Sequence, residues 1–476
     1  MSWIDQFPPQ ARLWSLLAMS VDHAQLDRDH LWHPFTQQQA WSEEEPLLIE
    51  RADGTQLIDA DGRSYIDGVS SLWCNVHGHR HAAIDEAMSE QLGRVAHSTM
   101  LGLSHPGAAE LAGKLVDLAP PGLSRVFYSE SGSTATEIAL KMAFQFQRQR
   151  GGQHVRRTSF VHLRDAYHGD TIGSVSVGGI DLFHATYRPL LFQTHATEPG
   201  DTSDLERVLS AHEEEVAALI VEPLVQGAAG MLVHPPGYLR AARELCDRFG
   251  VLLICDEVAT GFGRTGTMFA CEQEDVAPDL LCLAKGLTGG YLPLAATLTS
   301  ERIYEGFLGA PEEQRTFFHG HTYTGNPLAC AAAIASLEIF EREETLARLQ
   351  PKIDLLGEQL DAVAAMPEVA EVRRCGFMVG IDLGEHDAAL RLGHRVTLEA
   401  RERGAIVRPL GDVVVLMPPL SISEGELRRL VEITAESIEA AAISARVLSR
   451  EEGVLADSPV RTPPPPPPPA RDTLAA

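Results

Sequence analysis

Five short apolar runs punctuate the first two-thirds of the chain: Arg125–Tyr128 (RVFY), Phe160–Leu163 (FVHL), Ala217–Val221 (AALIV), Val251–Cys255 (VLLIC) and Leu280–Ala284 (LLCLA). Each is nearly all apolar instead of alternating, as strands covered on both faces are. Between them lie longer stretches with helical spacing, such as Thr134–Gln147 and Tyr238–Phe249. Short apolar runs also occur in buried helices, but strand–helix alternation of this kind predicts an α/β fold on a mostly parallel sheet.

The pattern changes further on. Glu344 to about Val363 and Ile422 to Ile443 read as long helices, flanking short strands near Phe377–Leu383 and Val413–Met417. That predicts a second, smaller α+β domain. Pro463 through Pro469 cannot enter a helix or a central strand, so residues 455–476 are expected to form a disordered, proline-rich tail. The opening MSWIDQFPPQARLWSLLAMSV has no basic leader and only a short, interrupted apolar run. It reads as neither signal peptide nor membrane anchor, and Met19 is an alternative start.

Charge narrows the function. The chain has 39 basic and 66 acidic residues and a formal net charge of -27, which argues against a nucleic-acid binder or docking on anionic membranes. The seven cysteines include no CxxC pair, so neither a disulfide scaffold nor a zinc site is expected, and a reducing cytoplasm fits.

The chemistry collects where the strands end. RVFY runs into SESGS, FVHL into RDAYHGD, AALIV into Glu222-Pro223, VLLIC into Asp256-Glu257, and LLCLA into Lys285-Gly286. Ligands of open parallel sheets bind outside the carboxyl ends of the strands, so five polar clusters converge on one edge. Lys285 after an apolar run would be poorly solvated, which lowers its pKa and frees an amine for Schiff-base chemistry; alone, it could equally be a strand-end lysine reaching solvent. Asp256 ends a strand expected to lie close to that of Lys285. A carboxylate there suits the ring nitrogen of pyridoxal 5'-phosphate (PLP), although a turn or cap role would also explain it. Val258 could press on one face of such a ring and Tyr167 could stack on the other. Gly132 and Ser133, where a strand turns into a helix, could bind phosphate, or simply cap the helix with Thr134 and Glu137. His168 reads as a hydrogen-bonder behind the site. Arg408 could bind a substrate carboxylate, or form a surface ion pair.

DEVATGFGRTG (256–266), AKGLTGG (284–290) and HGHTYTGNPLACAAA (319–333) together resemble the class III PLP-dependent aminotransferases, a subgroup of fold type I. The resemblance covers roughly residues 30–440. It implies a large domain with a mostly parallel seven-stranded sheet and a smaller α+β domain. On that pattern 1–80 would join the small domain, 81–345 would form the PLP-binding domain, and 346–454 would complete the small one.

LWHPFTQ (31–37), DGVSSLWCNVHGHRH (67–81), AHSTMLGLSH (96–105), YHGDTIGSVSVGG (167–179) and RPLGDVVVLMPP (408–419) are similar to the subgroup that aminates 8-amino-7-oxononanoate to 7,8-diaminononanoate in biotin synthesis. The resemblance implies that Lys285 carries the cofactor, Asp256 pairs with its ring nitrogen, and Gly132 and Ser133 bind its phosphate. His321 and Thr322 would complete the phosphate site of the other subunit of a homodimer. Phe35, Leu72, Trp73, Tyr167, Asp170, Gly320 and Arg408 would face the substrate. Two positions depart from the common pattern: Phe35 stands for a tyrosine, and Leu72-Trp73 for two tryptophans. They leave the amino donor open between S-adenosylmethionine and lysine. The rival expectation is a class III transaminase for an ω-amino acid or diamine, with pyruvate as partner.

Overall fold

The computed structural model describes residues 21–455, with side chains to residue 447. The alternative start at Met19 and the proline run lie outside the described residues. All five apolar runs are strands of one sheet: Leu123–Ser129, Ser159–Leu163, Val216–Val221, Leu252–Asp256 and Leu280–Leu283. Two strands that the apolar pattern did not announce, Thr194–Thr197 and Ala295–Ser300, bring the sheet to seven. Across the sheet the strands follow the order 123–129, 295–300, 280–283, 252–256, 216–221, 159–163, 194–197. Ala295–Ser300 runs antiparallel to both neighbours; the remaining pairs are parallel.

Helices pack on this sheet because its strands are apolar on both faces. Leu219, Ile220, Leu253, Ile254 and Leu281 are fully buried. Each such side chain contributes roughly 1.5–3 kcal/mol relative to exposure. The helix Gly132–Arg150 buries Ile138, Ala139 and Phe146, and Tyr238–Phe249 forms over the residues its periodicity predicts. All six parallel strands point their carboxyl ends the same way, so Ser131, Arg164, Glu222, Asp256 and Lys285 follow at one edge.

The later segment builds a four-stranded antiparallel sheet from Glu371–Cys375, Met378–Asp382, Val413–Leu416 and Arg408–Leu410. The helices Thr345–Ala364 and Glu424–Leu455 accompany it. A third sheet joins distant parts of the chain. Ile49–Asp53, Gln56–Asp59 and Ser64–Asp67 form a meander, and Ala405–Ile406 pairs in parallel with Ser64–Asp67. That pairing sets the segment after Asp67 beside the strand that carries Arg408. Among the described residues every cysteine is free, and no helix is long and apolar enough to cross a membrane.

Candidate active site

A cavity of about 820 Å³ opens at the carboxyl edge of the seven-stranded sheet. Lys285, Asp256, Tyr167, Val258, Gly132 and Ser133 line it, as do Leu72, Trp73 and Asp170. Nine of the fourteen site residues read from the sequence therefore meet in one place. Phe35, Gly320, His321, Thr322 and Arg408 stand outside the lining.

Lys285 and Asp256 come together because their strands are parallel neighbours, with Asp256 opposite Cys282. The lysine amine has no hydrogen bond or ion pair among the described residues. It lies 4.7 Å from the centroid of the Trp73 ring. Burial holds its pKa below the usual lysine range, against the opposing pull of Asp256 and Glu222. An amine so placed reaches its neutral, nucleophilic form more easily than a solvated one. Lys285 is half-buried, and its side chain opens onto the cavity beside Asp256 and Trp73.

Asp256 is 4 % exposed and is held on both oxygens. Oδ2 lies 2.7 Å from Nδ1 of His168, and Oδ1 accepts the Val258 N–H at 3.0 Å. His168 is itself buried, and its Nε2 has no partner. The carboxylate is thus fixed in direction, and His168 stands behind it as the sequence suggested. Val258 also presses on the backbone at Gly132, where the chain enters its helix. A Cβ at Gly132 would come within 2.5 Å of Val258 Cγ1, so glycine is needed there for close approach.

The helix Gly132–Arg150 starts at the cavity wall. Ser131 and Thr134 form its capping box. That arrangement satisfies part of the first turn, while the N–H groups of Gly132 and Ser133 find no acceptor among the described residues. Free N–H groups and the positive end of a 19-residue helix suit a phosphate. Ser133 Oγ accepts the Thr171 N–H at 2.9 Å, which ties this turn to the Tyr167–Thr171 loop. Gly169, at φ +114, sits so close to Ser133 that a Cβ would fall 2.4 Å from the serine Cβ.

Tyr167 donates its hydroxyl to Asp170 Oδ2 at 2.7 Å, and burial pushes its phenol up. Phe35 does not line the cavity but meets the Tyr167 ring edge-on, with centroids 6.4 Å apart. It lines an adjoining cavity of about 470 Å³ together with Asp170, His184 and Tyr187. Arg408 is half-buried and makes no ion pair among the described residues, so the surface-ion-pair reading is set aside. Burial lowers its pKa, and its charge is felt by Tyr167. Gly320 and Thr322 are exposed in this single chain. His321 bonds through Nδ1 to Glu130, a residue of the cavity wall.

Sequence reasoning assigned no role to Glu222, Asp67 or Arg264. Glu222 is buried at the cavity, with Oε2 accepting the Gly227 N–H at 2.9 Å and Oε1 unpaired. Burial pushes its carboxyl up to about 7. Its place after an apolar run, like that of Asp256, was the available signal.

The wall that carries Leu72 and Trp73 has an unusual backbone. Ser70, Ser71, Leu72 and Trp73 have φ of 50, 51, 89 and 69°, four left-handed residues in succession without a glycine. Each costs about 1 kcal/mol or more, so neighbours must hold the turn. The Asp67 carboxylate, fully buried, accepts the Ser71 N–H at 2.9 Å and the Ser71 hydroxyl at 2.8 Å. Its Oδ2 also lies 2.9 Å from His79 Nε2. Ser70 Oγ donates to Met417 O at 2.7 Å. Arg264, 1 % exposed, donates to the carbonyls of Pro418 and Asn75 at 2.6 and 2.7 Å, and more weakly to that of Trp73.

This donor set fits PLP. A fixed carboxylate, an unpaired amine, a helix start with free N–H groups and an aromatic ring opposite a valine all open onto one cavity of suitable size. The comparisons with known proteins agree. A family model described as aminotransferase class-III matches residues 38–438. A curated relative from Nitratidesulfovibrio vulgaris, named adenosylmethionine-8-amino-7-oxononanoate aminotransferase, is 57% identical over 437 residues, spanning 87% of this chain and 81% of its own. The crystal structure of the Methanocaldococcus jannaschii protein of that name superposes with a TM-score of 0.86 at 44% identity, over 88% of this chain and 98% of the other. An amine transaminase from an uncultivated Pseudomonas species, solved in its PLP-bound form, gives a TM-score of 0.81 at 37% identity, covering 87% and 98%.

Proposed function

This chain belongs to the class III aminotransferases and uses pyridoxal phosphate; from that premise we propose that it aminates 8-amino-7-oxononanoate to 7,8-diaminononanoate, a step of biotin synthesis, with S-adenosylmethionine as donor. The observation that carries the chemistry is the meeting of Lys285 and Asp256, from neighbouring strands, in one cavity. The names of relatives at 44–57% identity support the substrate.

When bound, PLP would supply a carbonyl that takes up an amino group and a ring that absorbs the electron pair left behind when a carbon loses its proton. Lys285 holds the cofactor through Nζ. As a free neutral amine, Nζ would accept a proton from the donor carbon and give it back, its reach limited by its own backbone. Asp256 keeps the ring nitrogen protonated, and His168 and the Val258 N–H fix the carboxylate for that task. Gly132 and Ser133 would hold the phosphate, and Tyr167 and Val258 would contact the ring. Arg408 binds the carboxylate of the oxononanoate, consistent with its lack of an ion-pair partner. Leu72 and Trp73, with Phe35 in the adjoining cavity, supply apolar surface for the chain between carboxylate and ketone.

We further infer a homodimer. Leu101, Leu103, Phe318 and Tyr323 are 90, 60, 81 and 58 % exposed in the single chain, and Tyr323 contacts His97 in a neighbouring loop. Such apolar exposure on adjoining loops fits a subunit interface. On it, Gly320, His321 and Thr322 would reach the phosphate end of the other subunit's site. Residues 81–345 would form the large domain. Residues 1–80 would join 346–454 through the pairing of Ser64–Asp67 with Ala405–Ile406. The free cysteines suit a reducing cytoplasm.

The test is a spectral half-reaction. The yellow holoenzyme is mixed separately with S-adenosylmethionine, lysine and a simple diamine. Conversion to the pyridoxamine form by S-adenosylmethionine, followed by recovery of the yellow form with 8-amino-7-oxononanoate, supports the reading. Conversion by lysine alone would reassign the donor. Recovery by pyruvate and not by the oxononanoate would overturn the substrate.

A further inference from the structure

We propose that Asp67 is a positioning residue for substrate recognition: its buried carboxylate holds the left-handed turn Ser70–Trp73 and so fixes Trp73 in the cavity wall over Lys285. This rests on the reading of Trp73 as a substrate-facing residue. The sequence SSLW has no glycine to make four positive φ values easy. Asp67 faces the turn with three polar contacts, from the Ser71 N–H, the Ser71 hydroxyl and the His79 ring. His79 is steadied in turn by Asn75 at 3.1 Å, and Asn75 Oδ1 accepts the Gly78 N–H at 2.8 Å. The chain therefore leaves the turn and is brought back onto the same carboxylate.

Asp67 itself does not line the cavity; Leu72, Trp73 and Cys74 do. Its influence passes through the backbone. Trp73 N–H donates to Val69 O at 2.7 Å, and Cys74 and Asn75 N–H both donate to Ser70 O at 3.1 Å. Those three bonds are made across the left-handed turn. The Trp73 indole N–H is buried without an acceptor, so the ring is held by its backbone and packing instead of by a polar tether of its own. Releasing the turn frees the ring.

Asp67→Asn keeps the shape but removes the charge and turns one of the two acceptor oxygens into an N–H donor, so the contacts from Ser71 and His79 must be re-made or lost. In the holoenzyme this variant should raise KM for 8-amino-7-oxononanoate about tenfold, with kcat changed less than threefold. Binding of PLP, titrated by absorbance, should remain within twofold. In the apoenzyme, amide hydrogen exchange of a peptide spanning 68–76 should speed up tenfold or more, while strands such as Val216–Val221 keep their protection. Ser71→Gly placed in the Asp67→Asn background should lower KM again, because glycine adopts the required φ freely.

If Asp67→Asn does not fold, Ser71→Ala removes one of the three contacts and should give the same local exchange effect at smaller size. Unchanged exchange at 68–76 in both variants overturns the proposal, as does a uniform loss of protection across the chain. Trp73→Ala separates the two readings. If it raises KM while Asp67→Asn does not, the positioning role fails. If it leaves KM alone while exchange at 68–76 still responds to Asp67, the substrate-facing reading of Trp73 fails instead.

Discussion

Nδ1 of His168 stands 2.7 Å from Oδ2 of Asp256, across 88 residues of sequence. The imidazole closes one side of the carboxylate, and the Val258 N–H closes the other. A hydrogen bond to a charged group contributes roughly 1.5–3 kcal/mol. His168→Phe should therefore lower kcat about tenfold to a hundredfold with little change in KM. Steady-state kinetics at saturating donor would check it, and an unchanged kcat would remove His168 from the mechanism.

Lys285→Ala should leave the fold intact and abolish both turnover and the visible absorbance of lysine-bound cofactor. The measurements are an absorption spectrum with added PLP and an assay for diamine product. Residual turnover near the level of the unaltered enzyme would refute the assignment of Lys285.

Arg408→Ala should weaken capture of a carboxylated substrate. Removing one partner from a desolvated charge pair costs roughly 2 kcal/mol or more, about thirtyfold in KM. An analogue of the ketone substrate that lacks the carboxylate should react equally with both forms of the enzyme. Equal losses on both substrates would show that Arg408 serves the fold and not the ligand.

Glu222 carries a pH signature. Burial raises its carboxyl from the ordinary 4.5 to about 7. The folded state therefore binds a proton that the unfolded chain has lost, and stability from this group is full below about 4.5 and lost as pH rises to about 7. The effect is on the order of 3 kcal/mol. Denaturant unfolding of the apoenzyme at a series of pH values should show a slope over that window that Glu222→Gln removes. Matching slopes in the two proteins would mean that the carboxyl is ionised throughout.

Much of this was legible in the sequence because parallel strands advertise themselves. A strand buried on both faces must be apolar along its length, so LLIC and LLCL stood out, and the polar residue that ends each run marked the catalytic edge. Thr194–Thr197 escaped because it is a partly exposed edge strand of polar residues, and Ala295–Ser300 because small residues and threonines give no apolar block. His168 was legible as a hydrogen-bonder, but its link to Asp256 depends on strand order, which periodicity does not encode. The turn at Ser70–Trp73 was invisible for a different reason. Left-handed backbone is ordinarily signalled by glycine or asparagine, and here buried side chains from elsewhere impose it.

Arg264 bridges the carbonyls of Asn75 and Pro418, and no carboxylate among the described residues pairs with it. It works as a rivet behind the Trp73 wall: the segments at Asn75 and Pro418 cannot part without stranding a buried cation. Anyone seeking to enlarge this enzyme's repertoire toward bulkier amines would thus gain little by loosening the Trp73 side. The adaptable position is Leu72, which is 46 % exposed and borders the same opening. There a change of side chain can reshape the entrance while the frame around it stays clamped.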